Sequence, residues 1–384
     1  MAEIPRLSRS AKILLASTVG VTALAVVGWV AGSRPDNELT AGTSLPSAPS
    51  TTRSPASSPT PVTSVKPVTP KPTPSKKPEP TKPTPKHSSL PSGVSLGGCP
   101  SLPSNDVWHA NVSRLPLHAR STQYVASIGT QRSVKADFGS GQWDGGPIGI
   151  PITYADNAQH RVPVSFDYSD DSDRGPYPIP AGTLVEGGAS SDGDRHVLVV
   201  ARSSCKLYEL WDAHPQSDGS WHAGSGAIFN LRGSQLRPKS WTSADAAGLP
   251  IAPGLVRYDE VAAGHIDHAI RVTVPKSQNA FVWPARHAAS SSSDKNLPPM
   301  GLRLRLKAGT DLSHLSRQAR IVAEAMRTYG VVVADNGSAW YISGVPDPRW
   351  NNDALSALDS LRGSDFEAVD TAGLMADPDS GRVK

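Results

Sequence analysis

The distribution of apolar and polar residues divides the chain into three parts. Residues 13–33 form an uncharged, mostly apolar run that follows three basic residues, Arg6, Arg9 and Lys12. About twenty residues with a rise of about 1.5 Å each span a hydrocarbon core of about 30 Å, and basic residues beside such a span stay in the cytoplasm. We therefore predict a cytoplasmic tail over 1–12 and a single-pass signal-anchor in the cell membrane over 13–33, with the folded domain extracytoplasmic.

A cleaved signal peptide is the alternative to a retained anchor. Signal peptides also begin with basic residues, but their apolar region is usually only about 7 to 15 residues long, and this run is longer. Small residues at 30–32 still offer a cleavage site. Retention and cleavage both remain open, and in either case the rest of the chain is exported.

Residues 34–98 differ in composition from both of their neighbours. Between residues 46 and 92 the chain consists mainly of Pro, Ser, Thr, Lys and Val, with repeated Lys-Pro and Thr-Pro steps. Proline fixes φ and lacks an amide donor, and the spaced lysines repel one another, so such a segment does not build a core. It predicts a disordered proline-rich linker that reaches up to about 150 Å when extended and carries a domain across a cell-wall layer.

Beyond residue 98 the pattern is that of short β-strands. Leu302, Leu304 and Leu306 alternate with charged residues, as in a strand with one buried and one solvated face. Similar short runs recur between turn-rich breaks that contain Gly and Pro. We predict that residues 99–375 form a mainly β domain, an antiparallel β-sandwich or jelly roll, followed by a flexible C-terminus over 376–384.

Two segments near the end of this domain have helical periodicity instead. Residues 316–329 carry apolar residues at helical spacing, namely Ala319, Val322, Ala323 and Met326. Gly330 follows them, where a helix end requires a left-handed residue. In the second segment Asn352 or Asp353 is a candidate N-cap for a face that contains Leu355, Leu358 and Leu361. We predict two late α-helices that bury these faces in the core.

The net charge differs in sign between the N-terminal region and the folded domain. The chain has a formal net charge of +4, but residues 1–98 contain 11 of its 38 Lys and Arg residues and only 4 of its 34 Asp and Glu residues. The remainder therefore carries 27 basic and 30 acidic side chains. Because nucleic-acid binding depends on basic surface, we predict that the folded domain binds no nucleic acid. The basic linker instead suits anionic wall polymers or lipid headgroups.

The chain contains two cysteines, Cys99 and Cys205, and both lie in the exported part. An even number of cysteines in an oxidising compartment predicts a disulfide. This bond joins the start of the predicted domain to a later strand.

Several blocks stand out in the folded domain: GDRH at 193–196, AGSGA at 223–227, WTSADAAGLP at 241–250, PGLVRYDE at 253–260, WPARH at 283–287, LPPMG at 297–301 and ADNG at 334–337. With these blocks the domain resembles a group of uncharacterised exported or membrane-anchored actinomycete proteins. The resemblance covers nearly the whole domain. It implies no function, catalytic residue or cofactor.

The motifs of several enzyme and metal-binding classes are absent from the sequence. It contains no H-E-x-x-H, G-x-x-x-x-G-K-[ST] or C-x-x-C pattern. His265 and His268 are spaced as H-x-x-H, but on a strand this odd spacing sends them to opposite faces. The sequence therefore predicts neither a metal nor a cofactor.

What remains is a set of carboxylates typical of proteins that handle sugars. Glycoside hydrolysis needs two carboxyl groups, one protonated and one ionised. Glu209 shares a predicted strand face with Trp211 and apolar residues, a setting that raises a carboxyl pKa. Asp245, Asp259 and Glu260 lie in loop-rich blocks and are the candidates that complete the pair. Each of them also suits a salt bridge or a turn.

Aromatic and histidine side chains supply candidate substrate contacts. Trp221 and Trp241 lie in polar, turn-rich sequence, where an indole face can stack on a pyranose ring. His196 and His268 each share a predicted strand face with apolar residues, so they suit either substrate contact or a hydrogen-bonded core. A polysaccharide lyase, in which one of these histidines acts with a tyrosine and Arg257, is a further alternative.

The sequence as a whole predicts a membrane-anchored extracytoplasmic protein that acts on or binds cell-surface or environmental polysaccharide. The carboxylates favour a glycoside hydrolase over a lyase. A non-catalytic carbohydrate-binding protein and a structural envelope protein are the alternatives, and the residues leave hydrolysis and binding both open.

Overall fold

Residues 95–384 are described by a computed structural model of the protein. The predicted cytoplasmic tail, the signal-anchor and all but the last four residues of the predicted linker lie outside the described residues. Among residues 95–384, no helix combines the length and the apolar character that a membrane span requires.

Short β-strands are the main elements of the described residues. The strands are β1 (Lys135–Asp137), β2 (Gln142–Trp143), β3 (Gly146–Pro147), β4 (Ile152–Ala155), β5 (Val164–Phe166), β6 (Val197–Ala201), β7 (Lys206–Trp211), β8 (His214–Pro215), β9 (Trp221–Ala223), β10 (Ser225–Asn230), β11 (Ile270–Val274), β12 (Arg303–Leu306), β13 (Val331–Asn336), β14 (Tyr341–Ser343) and β15 (Phe366–Ala368). The α-helices are α1 (Ser121–Ile128), α2 (Tyr258–Ala263), α3 (Arg317–Thr328) and α4 (Asn352–Ser356). The prediction of a mainly β domain with few helices is confirmed.

The strands form two large sheets and two small ones. A six-stranded sheet has the order β1-β14-β11-β13-β12-β15, and a four-stranded sheet has the order β10-β7-β6-β4. A three-stranded sheet, β5-β9-β8, and the hairpin β2-β3 complete the set within residues 95–384.

The strand directions are mixed, so the prediction of an antiparallel arrangement is wrong for part of the structure. The pairs β1–β14, β11–β13, β4–β6 and β5–β9 are parallel. Alternation of apolar and polar residues specifies the two faces of a strand but not its direction. Parallel neighbours need long connections, and β12 and α3 lie in the chain between β11 and β13.

Both faces of the four-stranded sheet are buried. Leu198 and Val200 of β6 belong to the main core, which also contains side chains of the six-stranded sheet. Val197 and Val199 belong to a smaller core, against which side chains of β5 and β9 pack. Because successive side chains alternate between faces, the uninterrupted apolar sequence of β6 reflects a strand that is buried on both sides.

The first predicted late helix is present, and the second is shorter than predicted, because it ends at Ser356 and a 3-10 helix over Ala357–Ser360 follows it. α3 begins after Ser316, whose Oγ accepts a hydrogen bond from the amide of Ala319, and it buries the predicted apolar face. α4 begins after Asn351, whose Oδ1 accepts from the amide of Ala354, so the cap lies earlier than predicted. The sequence does not predict α1 and α2, because segments of 8 and 6 residues show little periodicity.

The predicted disulfide joins Cys99 to Cys205. Leu96 is fully buried, so the folded domain begins a few residues before the predicted boundary. Cys205 directly precedes β7. In the chain-entropy account, closing a loop of about a hundred residues stabilises the folded state by about 4 kcal/mol. The bond ties the start of the domain to the four-stranded sheet.

The C-terminal segment, for which we predict a flexible tail, makes defined contacts with the rest of the domain. It takes part in three isolated antiparallel bridges: Asp106–Arg382, Gln235–Ser380 and Met375–Val383. The guanidinium of Arg286 also binds the carboxylate of Asp379 at 2.7 Å. A short polar segment resembles a free end in the sequence because its partners lie far away in the chain.

Candidate functional site

Glu209, the first of the predicted carboxylates, is fully buried on β7. Its carboxylate accepts hydrogen bonds of 2.9 to 3.0 Å from the amides of Ile251 and Ala252, at the start of a 3-10 helix over Ala252–Gly254. Burial raises the pKa of Glu209 to about 7. This position suits an anchor for the 3-10 helix and does not expose the group to a polymer.

Asp245 is buried next to Arg271 of β11. The Nε of Arg271 donates to Oδ1 of Asp245 at 2.7 Å. Its Nη1 donates to Oγ of Ser343 at 3.0 Å, and its Nη2 donates to Oδ2 of Asp335 at 3.2 Å. Burial raises the pKa of Asp245, and Arg271 opposes that shift. We call these four residues the Arg271 network.

Glu260 lies in a second buried network with Arg257 and His268, the Glu260 network. Its Oε1 accepts from the guanidinium of Arg257 and lies 3.0 Å from Nε2 of His268, and its Oε2 accepts from the amide of Arg257 at 3.1 Å. Burial by itself raises the pKa of Glu260, but Arg257 and His268 outweigh it and lower the pKa. His268 has no exposed surface. A network enclosed in this way offers its groups to neither hydrolase nor lyase chemistry.

Asp259 lies on the surface, although it is adjacent to Glu260 in the chain. Its Oδ1 accepts from Nη2 of Arg349 at 2.7 Å, and its side chain is 63% exposed. The guanidinium of Arg349 also lies over the ring of Tyr258, 4.4 Å from the centroid. The arrangement is that of a surface ion pair.

The predicted substrate contacts are all at least partly covered. Trp221 packs against the smaller core, and the guanidinium of Arg237 lies 5.4 Å from the ring centroid of Trp241. The Nδ1 of buried His196 lies 2.5 Å from Oε2 of Glu186. Burial lowers the pKa of His196, but Glu186 outweighs this effect and raises it to about 9.

The structure therefore brings only some of the predicted residues together. Three of them are near enough to influence one another's charge: His196, Glu209 and Asp245. Two share the Glu260 network: Glu260 and His268. The others make their contacts elsewhere: Asp259, Trp221 and Trp241.

A cleft beside the Arg271 network contains residues that the sequence did not single out. It is lined by two aromatic rings and two carboxylates, Tyr168, Trp211, Asp194 and Asp335, and otherwise by small residues, Ser225, Thr242, Ser243, Ala244 and Ala246. The Nε1 of Trp211 donates to Oδ1 of Asp194 at 3.2 Å. The ring centroids of Tyr168 and Trp211 are 6.3 Å apart. We call this site the Asp194–Asp335 cleft.

A β-bulge places Asp335 at the cleft. β11 and β13 pair regularly up to Val272 and Val333, after which Thr273 pairs with Asp335. Ala334 is therefore an extra residue, and a bulge redirects the side chain that follows it. If β13 ran as a regular strand without the bulge, Asp335 would point to the same face as the buried Val333.

Asp194 is positioned by a loop that the side chain of Arg195 holds in place. The next residue, Arg195, is buried and has a φ of 49°, a backbone conformation that few non-glycine residues adopt. Its Nη1 donates to the carbonyls of Ala189 and Ser191 at 3.0 and 2.8 Å. The loop before β6 is thus held in shape, and Asp194 lies beside Trp211 at the end of β7.

Asp335 combines burial with access to the cleft. Burial raises the pKa of Asp335 to about 7, Arg271 opposes the shift, and the carboxylates of Asp194 and Asp245 add to it. Its Oδ1 accepts from the amide of Asn336 at 2.7 Å. The side chain keeps 19% of its surface exposed, and the cleft has a volume of about 30 Å³, so a small group of a ligand that lies across the opening can reach this carboxyl group.

A sequence signal for these two residues exists in retrospect. Asp194 and Asp335 fall in the blocks at 193–196 and 334–337, and each lies next to Gly or Asn at or near one end of a buried strand. Side chains at strand ends emerge where a sheet meets solvent. Glu209, in the middle of a strand, lacks that property.

A larger groove, with a volume of about 550 Å³, lies beside β1 and β14. Its lining includes Arg132, Lys135 and Tyr341 but no carboxylate. Groups with perturbed pKa values concentrate at functional sites, and here they surround the smaller Asp194–Asp335 cleft. We therefore take that cleft as the candidate functional site.

Neither a metal site nor a similar known protein indicates the function of this domain. Among residues 95–384, no group of three or more His, Cys, Asp or Glu side chains has the arrangement of a metal site. No protein-family model, curated protein or solved structure matches this chain.

Proposed function

We propose that this domain binds and hydrolyses polysaccharide outside the membrane, at the Asp194–Asp335 cleft. The proposal depends on one observation: two carboxylates from separate parts of the chain line one cleft beside the rings of Tyr168 and Trp211. Glycoside hydrolysis uses two carboxyl groups on either side of the scissile bond, and an aromatic surface beside them can stack on a sugar ring.

Asp335 is the proposed general acid. Burial and the nearby carboxylates favour its protonated form, whereas Arg271 favours the ionised form, and the resulting pKa of about 7 leaves it protonated in mildly acidic solution. In the reaction it transfers this proton to the glycosidic oxygen while the bond from that oxygen to the anomeric carbon breaks.

Asp194 is the proposed ionised partner. It is exposed, and its Oδ1 accepts a hydrogen bond from the indole N–H of Trp211. Its charge stabilises the positive anomeric carbon of the transition state. In one route it attacks that carbon to form a glycosyl ester, and a water deprotonated by the Asp335 carboxylate then displaces Asp194, which leaves as a free carboxylate while Asp335 is protonated again. In the other route Asp194 removes a proton from a water whose oxygen attacks the carbon directly, and in both routes the water's hydroxyl group completes the product.

Tyr168 and Trp211 are the proposed sugar-binding surface. Their planes are tilted by 37°, and both rings are partly exposed at the cleft. An aromatic face packs against the apolar face of a pyranose ring. In this proposal, sugar contact belongs to Trp211 and not to Trp221 or Trp241.

Binding without hydrolysis is the second candidate, and one contact favours it. The 3.2 Å hydrogen bond from Arg271 to Asp335 stabilises the ionised carboxylate. If Asp335 stays ionised in the presence of a glycan, the cleft contains no acid and the domain only binds.

We also propose that the domain is held outside the membrane by the proline-rich linker and the signal-anchor. The disulfide between Cys99 and Cys205 supports this location, because disulfides persist in oxidising compartments. For the finer architecture we propose a β-sandwich, because side chains of the four-stranded and six-stranded sheets share the main core.

Release of reducing ends tests the hydrolase proposal. The purified full-length protein is incubated with plant, fungal and bacterial-wall polysaccharides, alongside Asp194→Asn and Asp335→Asn. Asp192→Asn is the matched control, because Asp192 is an exposed residue of the same loop and does not line the cleft. We expect the wild type and the control to release reducing ends, and each cleft variant to lose at least about a hundredfold in rate.

Two results would redirect the proposal. If no polymer is cleaved, but the protein is pulled down with one polymer and this binding requires Trp211, the domain is a binding module. If Asp335→Asn cleaves as fast as the wild type, the cleft is not the active site.

A further inference from the structure

The cleft and its surroundings carry more negative than positive charge. Six carboxyl groups interact there: Asp137, Glu186, Asp194, Glu209, Asp245 and Asp335. Of the three cations nearby, Arg271 is paired with two of these groups and His196 with one, and the guanidinium of Arg195 donates to backbone carbonyls. Asp194 lines the cleft and has no ion-pair partner among residues 95–384. A positively charged ligand therefore meets an unmatched carboxylate.

The aromatic pair of the cleft differs from other aromatic residues of the domain. Guanidinium groups lie over five rings: Tyr154, Tyr208, Phe229, Trp241 and Tyr258. Within the described part of the chain, no guanidinium lies over Tyr168 or Trp211 in this way. A ring face without an internal cation can attract the cation of a ligand, and the effect is stronger where water is partly excluded. Together with Asp194, the two rings have the composition of an ammonium site.

A buried acceptor behind the cleft supports the same type of ligand. Asp245 is 1% exposed, and its Oδ2 has no hydrogen-bond partner among residues 95–384. Its neighbours in the chain, Ala244 and Ala246, both line the cleft. Arg271 contacts only Oδ1 of Asp245, so the charge on this carboxylate is only partly offset and adds to the negative potential near the cleft.

From these observations we propose that the cleft selects polysaccharides whose sugars carry free amino groups, with the ammonium group held by Asp194 beside Tyr168 and Trp211. This inference rests on the proposed function and names its substrate class. The surplus of carboxylates repels a uronic acid polymer. An N-acetylated sugar leaves Asp194 without a counter-charge, so the cleft discriminates against both.

Two oligosaccharides that differ only in their amino groups test the inference. The hexamers of β-1,4-linked glucosamine and N-acetylglucosamine have the same linkage and length, but only the first is cationic. Binding to the full-length protein is measured by tryptophan fluorescence on rapid mixing, before turnover, and cleavage by reducing-end release. We expect the glucosamine hexamer to bind about tenfold more tightly, with a preference that falls as salt is added.

Matched variants locate the preference in the cleft. Asp194→Asn and Trp211→Leu are expected to reduce the preference to about twofold or less, because each removes one component of the ammonium site. Asp192→Asn and Trp143→Leu are the controls, since Asp192 is exposed outside the cleft and Trp143 is a 77% exposed indole that does not line it. Both controls should keep the wild-type preference, and thermal unfolding confirms that each variant is folded.

The outcomes separate this inference from the proposed function. Equal or tighter binding of the N-acetylated hexamer overturns the amino-sugar inference, and so does a preference that survives Asp194→Asn. If neither hexamer is bound but another polysaccharide is cleaved, the inference fails and the hydrolase proposal stands. If no polysaccharide is bound or cleaved, both fail.

Discussion

Two buried networks in this domain each join an arginine to carboxylates, but they differ in how completely their side chains are shielded from solvent. In the Glu260 network one carboxylate is matched by Arg257 and His268, and all three side chains are almost fully buried. In the Arg271 network one guanidinium serves both Asp245 and Asp335, and Asp335 remains partly exposed at a cleft.

This difference shows why burial of a carboxylate by itself does not identify an active site. Glu260 has a lowered pKa because its positive partners outweigh burial. Asp335 has a raised pKa because burial and neighbouring carboxylates outweigh its single positive partner. An unequal charge balance beside a cleft is a functional signal, whereas a matched and closed network stabilises the fold.

The largest expected effect is on the closed network. Glu260→Ala leaves the buried guanidinium of Arg257 without its carboxylate, and we expect the free energy of unfolding to fall by about 3 to 5 kcal/mol. Denaturant unfolding measures this change. Glu324→Ala, which removes an exposed helical carboxylate paired with Arg327, is the matched control and should change stability by less than about 1 kcal/mol.

In the open network we expect a smaller loss of stability and a large loss of activity. Asp335→Asn leaves Arg271 paired with Asp245, so we expect a loss of only about 1 to 2 kcal/mol of stability together with the large loss of activity described above. If Asp335→Asn destabilises the protein as much as Glu260→Ala does, the two networks do not differ in the way proposed.

An effect of similar size is expected in the pH dependence of stability. The pKa of Glu209 rises from its ordinary value of 4.5 to about 7 on folding, so the folded state holds a proton that the unfolded chain has released. The stabilisation is complete below about pH 4.5 and is lost as the pH rises through about 7. We expect the free energy of unfolding to fall between pH 5 and pH 8, by about 1 to 3 kcal/mol from this group.

Glu209→Gln isolates that contribution. The amide oxygen can still accept from Ile251 and Ala252, but the side chain no longer titrates, so the decline in stability between pH 5 and pH 8 should be shallower than in the wild type. The raised pKa of His196 acts in the same direction and remains in both proteins. Identical pH profiles for the variant and the wild type would contradict the assignment.

The smallest effect is expected at the surface pair next to the Glu260 network. Arg349→Ala removes the partner of Asp259, and because both side chains are at least half exposed we expect less than about 1 kcal/mol in thermal or denaturant unfolding. Added salt should reduce even that difference. A loss as large as that of Glu260→Ala would mean that Asp259 and Glu260 belong to one network.

The fold was predictable where the pattern is long and local. The twelve residues of α3 carry more than three helical turns of periodic signal, and the alternating leucines identify β12. Strand direction was not predictable, because the parallel pairing of β11 with β13 depends on segments that lie about sixty residues apart. The contacts of the C-terminal segment were not predictable for the same reason, since Arg382 pairs with Asp106 at the other end of the domain.

The candidate site was predictable only in part. The apolar strand face predicted the raised pKa of Glu209, and the Arg271 network includes Asp245. Asp194 and Asp335 were missed because they are 141 positions apart in the sequence. Only the loop held by Arg195 and the β-bulge in β13 bring both residues to the cleft that Trp211 also lines.

The sequence by itself determined the predominance of short strands, the late helices and the pairing of the two cysteines, because each depends on local periodicity or on a pair without competitors. The tertiary structure alone decided which carboxylates are closed off and which reach a cleft. That distinction depends on how many opposite charges surround each group and on whether solvent reaches it, and both are set by contacts between segments that are distant in the chain.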